Sequence, residues 1–376
     1  EADGTDGPAD ADRPGEADGT DGPADADRPG EADGTDGPAD ADRPGEADGT
    51  DGPADAGGAE RVTLVTCGLL GGLPLHAALL PEAGREPATD CYALDRVLVS
   101  YAANARSLTS ASAVRDRLTA GSLLSIADPD TPHGKRLPAA SAEAGAVGRH
   151  FPDDRRVSLG GATATSEAVL RALGQADVLH AACHAISDPA SPMESALILS
   201  GGARLTVREL SEQRILADGG GLRLAVLSAC ESAVIGQAAP DEAIGLPAAL
   251  IEAGAAAVVA SLVVVPDSST ALLMARFYDC WLTDGVPPPE ALRRAQRWLR
   301  DVTNEELLTR YPDLLADVVP AEGFRRRLWE RARAHRHPTR WAAFVHIGLL
   351  FAPIVVALGP PGPLELDRWA PGPERG

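Results

Sequence analysis

From about residue 60 onward, short apolar runs set off by Gly, Pro and Asp alternate with longer stretches rich in Ala, Leu and Arg. That rhythm predicts alternating strands and helices, an α/β architecture. Three runs are apolar almost without interruption: 177–182 (DVLHAA), 222–229 (LRLAVLSA) and 255–265 (AAAVVASLVVV). A strand without polar alternation is covered on both faces, so these three are expected at the centre of a parallel sheet. Residues 61–66 and 122–127, the latter ending at Asp128-Pro129, read as further strands, and 91–99 as mixed strand and turn. Helices are expected over 141–150, 165–173 with Ser166 as N-cap, 241–253 closed by Gly254, 268–281 and 288–302.

The run WAAFVHIGLLFAPIVVAL at 341–358 raises the question of a membrane span. A spanning helix needs roughly 20 clean apolar residues. This run is interrupted by His346 and Pro353, so it is expected to split into a short strand at 343–347 and a second run after Pro353, which argues against membrane insertion.

The beginning of the chain follows no such pattern. Residues 1–45 are three copies of EADGTDGPADADRPG, and 46–56 begin a fourth. With no aromatic residue and no Leu, Ile or Val, the repeats cannot bury a core and are expected to be disordered. A 15-residue period is too short for a two-helix repeat unit. Each copy, full or partial, has a net charge of −4, so the repeats supply −16 of the total −21. Acidity therefore belongs to the tail, and it argues against nucleic acid as a partner of the folded part. The expected organisation is an acidic repeat tail at 1–57, one folded domain at 58–350 and a Pro/Gly-rich tail at 351–376.

Cys67, Cys91, Cys183, Cys230 and Cys280 are odd in number, widely spread and form no CxxC pair. Free thiols in a reducing, cytoplasmic compartment are expected, with no metal and no cofactor. No N-terminal signal sequence is expected from residues 1–30, and the start at Glu1 rather than Met is what a piece of a longer protein would show.

Two of the central strands run into reactive side chains: DVLHAACHA puts His184 just past one, and RLAVLSACES puts Cys230 just past the next. The carboxyl ends of adjacent parallel strands open on one crevice, so the two could face each other. A thiol becomes a good nucleophile only when ionised, and an imidazole beside it can take its proton and return it to a leaving amine. The backbone N–H groups of Ala185 and Cys230 are the natural donors to an oxyanion. A zinc site from His180, Cys183, His184 and Cys230 is the rival chemistry, but alternate strand residues point to opposite faces and the spacing is not compact.

Longer stretches add weight. GLPLHAALLP, SLLSIADP, LPAASAEAGAV, ATATSEAVLRAL, HAACHA, LSACES, DEAIGLPAALIEAGAAAVVASL, PDSSTALLMARFYD and HPTRWAAFVHIG follow one another between residues 68 and 348. In order and interval they resemble the CHAT domain, a caspase-like cysteine peptidase family often associated with tetratricopeptide repeats. The resemblance implies a caspase-like sandwich: a central, mostly parallel sheet flanked by helices, here preceded by the disordered acidic tail. It implies a catalytic dyad of His184 and Cys230 with no third member, a protein substrate, and a regulatory partner bearing tetratricopeptide repeats. Asp188, Glu194, Glu231 and Asp267 follow strand ends and are candidates for the substrate cleft. His76 matches a recurrent family position and is expected to be structural.

The chain departs from the family in two places: Ala185 stands where Gly is common after the histidine, and Val263 where an aromatic residue is common. An Ala keeps the N–H donor but resists positive φ. The expected function is therefore a cysteine endopeptidase, with a catalytically weak or inactive scaffold for protein–protein contact as the alternative; the cleavage-site preference is left open.

Overall fold

The computed structural model describes residues 60–66, 68–80, 91–102, 104, 108, 121–132, 135–186, 188, 191–212, 220–228, 245–315, 319–320, 322–348 and 354–358. The chain divides into two units, 1–54 and 55–376, and the acidic repeats of the first lie outside the described residues.

Within the second unit the described strands are β1 (Glu60–Thr66), β2 (Val97–Ala102), β3 (Leu123–Pro129), β4 (Arg156–Gly161), β5 (Val178–Ala182), β6 (Ala185–Ile186), β7 (Ala196–Ile198), β8 (Arg204–Thr206), β9 (Leu224–Leu227), β10 (Ala257–Ser261), β11 (Phe344–Gly348) and β12 (Ile354–Leu358). Nine of them form one sheet in the order β12-β1-β2-β11-β10-β9-β5-β3-β4. Every pairing in it is parallel except β10 with β11, so two parallel halves meet antiparallel at that seam. The carboxyl ends of β3, β5, β9 and β10 therefore share one edge. β6, β7 and β8 make a small antiparallel sheet of their own.

The apolar runs of the sequence sit where their pattern placed them. β5, β9 and β10 are buried along their whole length, and alternate residues feed two cores. Leu179, Ala181, Ala225, Leu227, Val258 and Ala260 enter one, while Val178, Leu224, Val226, Ala257 and Val259 enter the other. The first core is closed by α2 (Ser166–Leu173) and α3 (Gly245–Ala253), the second by α1 (Ala140–Gly148), α4 (Asp267–Tyr278) and α5 (Pro288–Asp301). Gly254 ends α3 at φ 125°, and Ala255 N donates back to Leu250 O at 2.9 Å, the closing bond of a Schellman turn.

Three details differ from the sequence reading. The cap of α2 is Thr165, whose hydroxyl accepts from Ala168 N at 3.3 Å; Ser166 is the first helical residue. Both residue types cap well, and the extended φ/ψ of Thr165 decides between them. Residues 354–358, assigned above to a C-terminal tail, pair with β1 as an edge strand. The segment at 91–99 is a helical turn, Ala93–Arg96, followed by β2. Among the described residues no helix is long and apolar enough to cross a membrane.

One polar cluster ties the C-terminal ends of α1 and α4 together. Asp279, just past α4, accepts from Arg149 Nη2 at 3.1 Å, Arg310 Nη2 at 3.1 Å and Tyr311 Oη at 2.6 Å. Burial pushes its carboxyl up, but hydrogen bonds from His150, Tyr311 and Arg310 and the charge of Arg149 outweigh this and hold it well below the carboxylate range. A depressed carboxylate stabilises the fold above its unfolded value of about 4 and loses that contribution as pH falls below it. Urea unfolding between pH 6 and pH 3 is expected to show a shallower acid-side decline in Asp279→Asn than in the parent; equal slopes would dismiss the role of this carboxylate.

Candidate active site

β5 stops at Ala182, and the chain turns so that Cys183 stays buried while His184 emerges half-buried at the carboxyl edge. The backbone of His184 is fixed from one side, because its carbonyl accepts from Ile198 N at 2.8 Å where β6 meets β7. Its ring is fixed from the other: Nε2 lies 2.6 Å from the carbonyl oxygen of Lys135, in the segment between β3 and α1. A carbonyl can only accept, so Nε2 carries the proton, and in the neutral ring Nδ1 is left with the free lone pair.

Beside His184 is a small cavity of about 20 Å³, room for one water-sized group. Leu137, Ala140, Glu143, Ala182, Cys183, His184, Ser228, Val265, Asp267 and Thr270 line it. Ser228 follows β9 directly and donates its hydroxyl proton to Glu143. Glu143 is a carboxylate only 1% exposed, on the inner face of α1, and its Oε1 lies 3.0 Å from Nε2 of the fully buried His180. Asp267 opens α4 and accepts from Ala139 N at 2.7 Å. Burial, with Glu143 and Asp128 nearby, raises its carboxyl above the usual range against the lowering effect of the Ala139 bond and of Lys135. The cavity thus carries an excess of acceptors and negative charge, which favours a cation over an anion beside His184.

Of the residues singled out from sequence, the structure brings Cys183, His184 and Asp267 to this cavity, and Ala185 adjoins it in the chain. Cys230 and Glu231 lie outside the described residues; Ser228, two positions before the cysteine, is on the cavity wall. Asp188 and Glu194 do not line it. Asp188 organises its own loop, its carboxylate accepting from Ser191 N at 3.0 Å, and Glu194 pairs with Arg208 Nε at 2.8 Å. His76 is buried between Tyr101 and Gln296, at 3.3 and 3.2 Å, far along the sheet from β5.

Ala185 sits in extended β6 rather than in the left-handed region. An alanine there pays no penalty, and the preference for Gly has no conformational basis in this chain. His184 pairs with Ile198 as a hydrogen-bonded partner, so by alternation the N–H of Ala185, opposite Leu197, points away from β7. It is a donor on the outer edge of the small sheet. Val263 and its neighbour Val264 are 41% and 59% exposed, an apolar rim past β10 where the aromatic residue is missing.

Several residues in and around the site were not singled out from sequence, among them Glu143, Lys135 and Asp128. Glu143 shows one weak signal, a lone carboxylate among the small apolar residues of ASAEAGAV. Lys135 acts through its backbone carbonyl, which no side-chain pattern can reveal. Asp128 looked only like the end of a strand. Among the described residues no three His, Cys, Asp or Glu are grouped to hold a metal.

A mostly parallel sheet between helices, with a hydrogen-bonded histidine at its carboxyl edge, is the architecture expected of a caspase-like α/β domain. The sequence matches the CHAT domain family over residues 47–349, and the chain belongs to that family. No curated protein matches it in sequence. Among solved structures it is similar to the Arg-specific cysteine proteinase gingipain R (RgpB), at TM-score 0.44 and 10% identity over 77% of this chain. It is also similar to the complex of Porphyromonas gingivalis RgpB pro- and mature domains, at TM-score 0.43 and 11% identity over 81% of this chain. The chain spans 62% and 66% of those two chains.

Proposed function

We propose that the chain is a cysteine endopeptidase in which Cys230 is the nucleophile and His184 its general base. The observation that carries this reading is the bond from His184 Nε2 to the Lys135 carbonyl. It leaves Nδ1 as the base of a ring oriented at the mouth of a cavity whose wall includes Ser228. Cys230 follows Ser228 by two residues, a span of at most about 7 Å.

In this mechanism Nδ1 takes the thiol proton, and the thiolate attacks the carbonyl carbon of the scissile peptide bond. The oxyanion receives the N–H groups of Ala185 and Cys230. The imidazolium then protonates the departing amine, and water hydrolyses the thioester with His184 again as base. A basic side chain on the protein substrate suits the negative field of Glu143 and Asp267. The regulatory partner with tetratricopeptide repeats belongs to the same proposal.

Alkylation by iodoacetamide at pH 7 tests it directly. Burial pushes the thiols of Cys183 and Cys280 up to about 12 and about 11, so neither is expected to react in the folded protein. Cys230 is expected to be modified first, and much more slowly in His184→Ala. Equal rates in the two proteins would favour the inactive scaffold.

A further inference from the structure

Segment 135–139, between β3 and α1, carries the acceptor of His184 and is itself held at four points, one of them the exposed pair of Arg136 Nη1 with Asp130 Oδ1 at 3.0 Å. Asp128 Oδ2 lies 2.8 Å from Arg136 Nε, Asp128 Oδ1 accepts from Leu137 N at 3.1 Å, and Asp267 Oδ2 accepts from Ala139 N at 2.7 Å. Asp128 is 6% exposed and has φ 42°, the one left-handed non-glycine among the described residues. It sits where the register of β3 against β4 shifts, an irregularity that turns its carboxylate back toward the following segment. A strained conformation kept on a residue whose side chain makes two bonds to one segment points to a role for those bonds.

The geometry points to Asp128 as a positioning residue for His184, acting through the Lys135 carbonyl; this rests on the catalytic reading above. The carbonyl of Lys135 belongs to the same peptide unit as the N–H of Arg136. The two Asp128 bonds, to the Arg136 side chain and to the Leu137 N–H, fix the Cα of Arg136 and with it one end of that unit, so the oxygen can leave the imidazole only by turning about an anchored end. With both bonds made, the turn of the peptide plane is restrained and the proton of His184 is favoured on Nε2. With them lost, the carbonyl can turn away and the proton can move to Nδ1, the atom that must be free to accept. Asp267 holds the far end of the segment, so the two carboxylates share the task.

The direct readout is the Nε2 proton of His184 in NMR spectra of the folded chain, assigned by its disappearance in His184→Ala. Asp128→Gly removes both bonds while glycine adopts the left-handed conformation freely. It is expected to shift that resonance upfield or abolish it, and to lower the rate of Cys230 alkylation by iodoacetamide at pH 6 about 10-fold or more. Asp128→Asn, which tolerates the same φ and still offers an oxygen to Leu137, is expected to restore the resonance and most of the rate. Arg136→Ala, at a site 72% exposed where loss of the fold is not at issue, is expected to move the resonance part of the way. An unchanged resonance in both Asp128→Gly and Arg136→Ala would overturn the inference. Alkylation that does not depend on His184 in the parent chain would remove the catalytic reading, while the resonance would still report whether Asp128 holds the ring.

Discussion

Replacing Cys230 by alanine is expected to abolish peptide-bond cleavage, and replacing His184 to come close to it. Residues that act as one nucleophilic unit lose together: each single removal costs on the order of 10³-fold or more, and the double variant is little worse than either single one. The reason is chemical. Without the imidazole, the thiol of Cys230 must ionise at its ordinary value, and the departing amine has no proton donor. Without the sulfur, the oriented imidazole has nothing to activate. The measurement is turnover of a peptide library by the parent chain, Cys230→Ala, His184→Ala and the double variant. Losses that multiply in the double variant would show that the two residues act separately, and undiminished cleavage by Cys230→Ala would end the assignment.

The largest effect on stability is expected beneath the crevice, at His180. Its imidazole is fully buried, 3.0 Å from the Glu143 carboxylate, with Tyr278 Oη at 3.4 Å and the Tyr278 ring edge-on at 5.5 Å. In His180→Ala the carboxylate keeps the Ser228 hydroxyl but loses its ring partner, and a void opens between α1, α4 and β5. The lost ring leaves a cavity in the core and takes a neighbour from a buried carboxyl group, together about 3–5 kcal/mol. Glu143→Gln keeps an acceptor for Ser228 and removes the charge, so it is expected to cost only about 1 kcal/mol. Denaturant unfolding of the two variants checks this, provided the slope with denaturant is unchanged. A drop under about 1 kcal/mol in His180→Ala would mean that the pair contributes little to holding the domain together.

The parts of this domain that could be read from sequence are those whose signal is local and strong. β5, β9 and β10 announce themselves because strands covered on both faces must be apolar at every position. Among the helices, α2 and α5 show an amphipathic period and Gly254 marks the end of α3, while the cap of α2 lies one residue before the one its sequence suggested. β4, β6, β7 and β8 do not, being two to six residues long with mixed polarity, and nothing in RVSLGG distinguishes an edge strand from a loop. The opposite run of β12, β1, β2 and β11 against the rest is likewise invisible, since a strand's sequence carries no mark of its partner's direction.

The same division runs through the site. Sequence placed His184 at the end of a central strand, and there it stands. It weighed Asp267 and Glu194 alike as cleft residues, whereas the fold takes Asp267 to the cavity and gives Glu194 to Arg208. It treated Ala185 as a defect on the assumption of a glycine-like φ, which the extended β6 does not have.

By itself, then, the sequence determined the central strands, the order of the elements and the histidine at the sheet edge, because hydrophobic burial and strand-end placement are written in residue types close together in the chain. Only the tertiary structure decided how that histidine is held. Its partner is a backbone carbonyl 49 residues earlier, fixed in turn by carboxylates from β3 and α4. A backbone group has no side-chain signature, and it becomes part of a site only when the fold brings it within hydrogen-bonding distance.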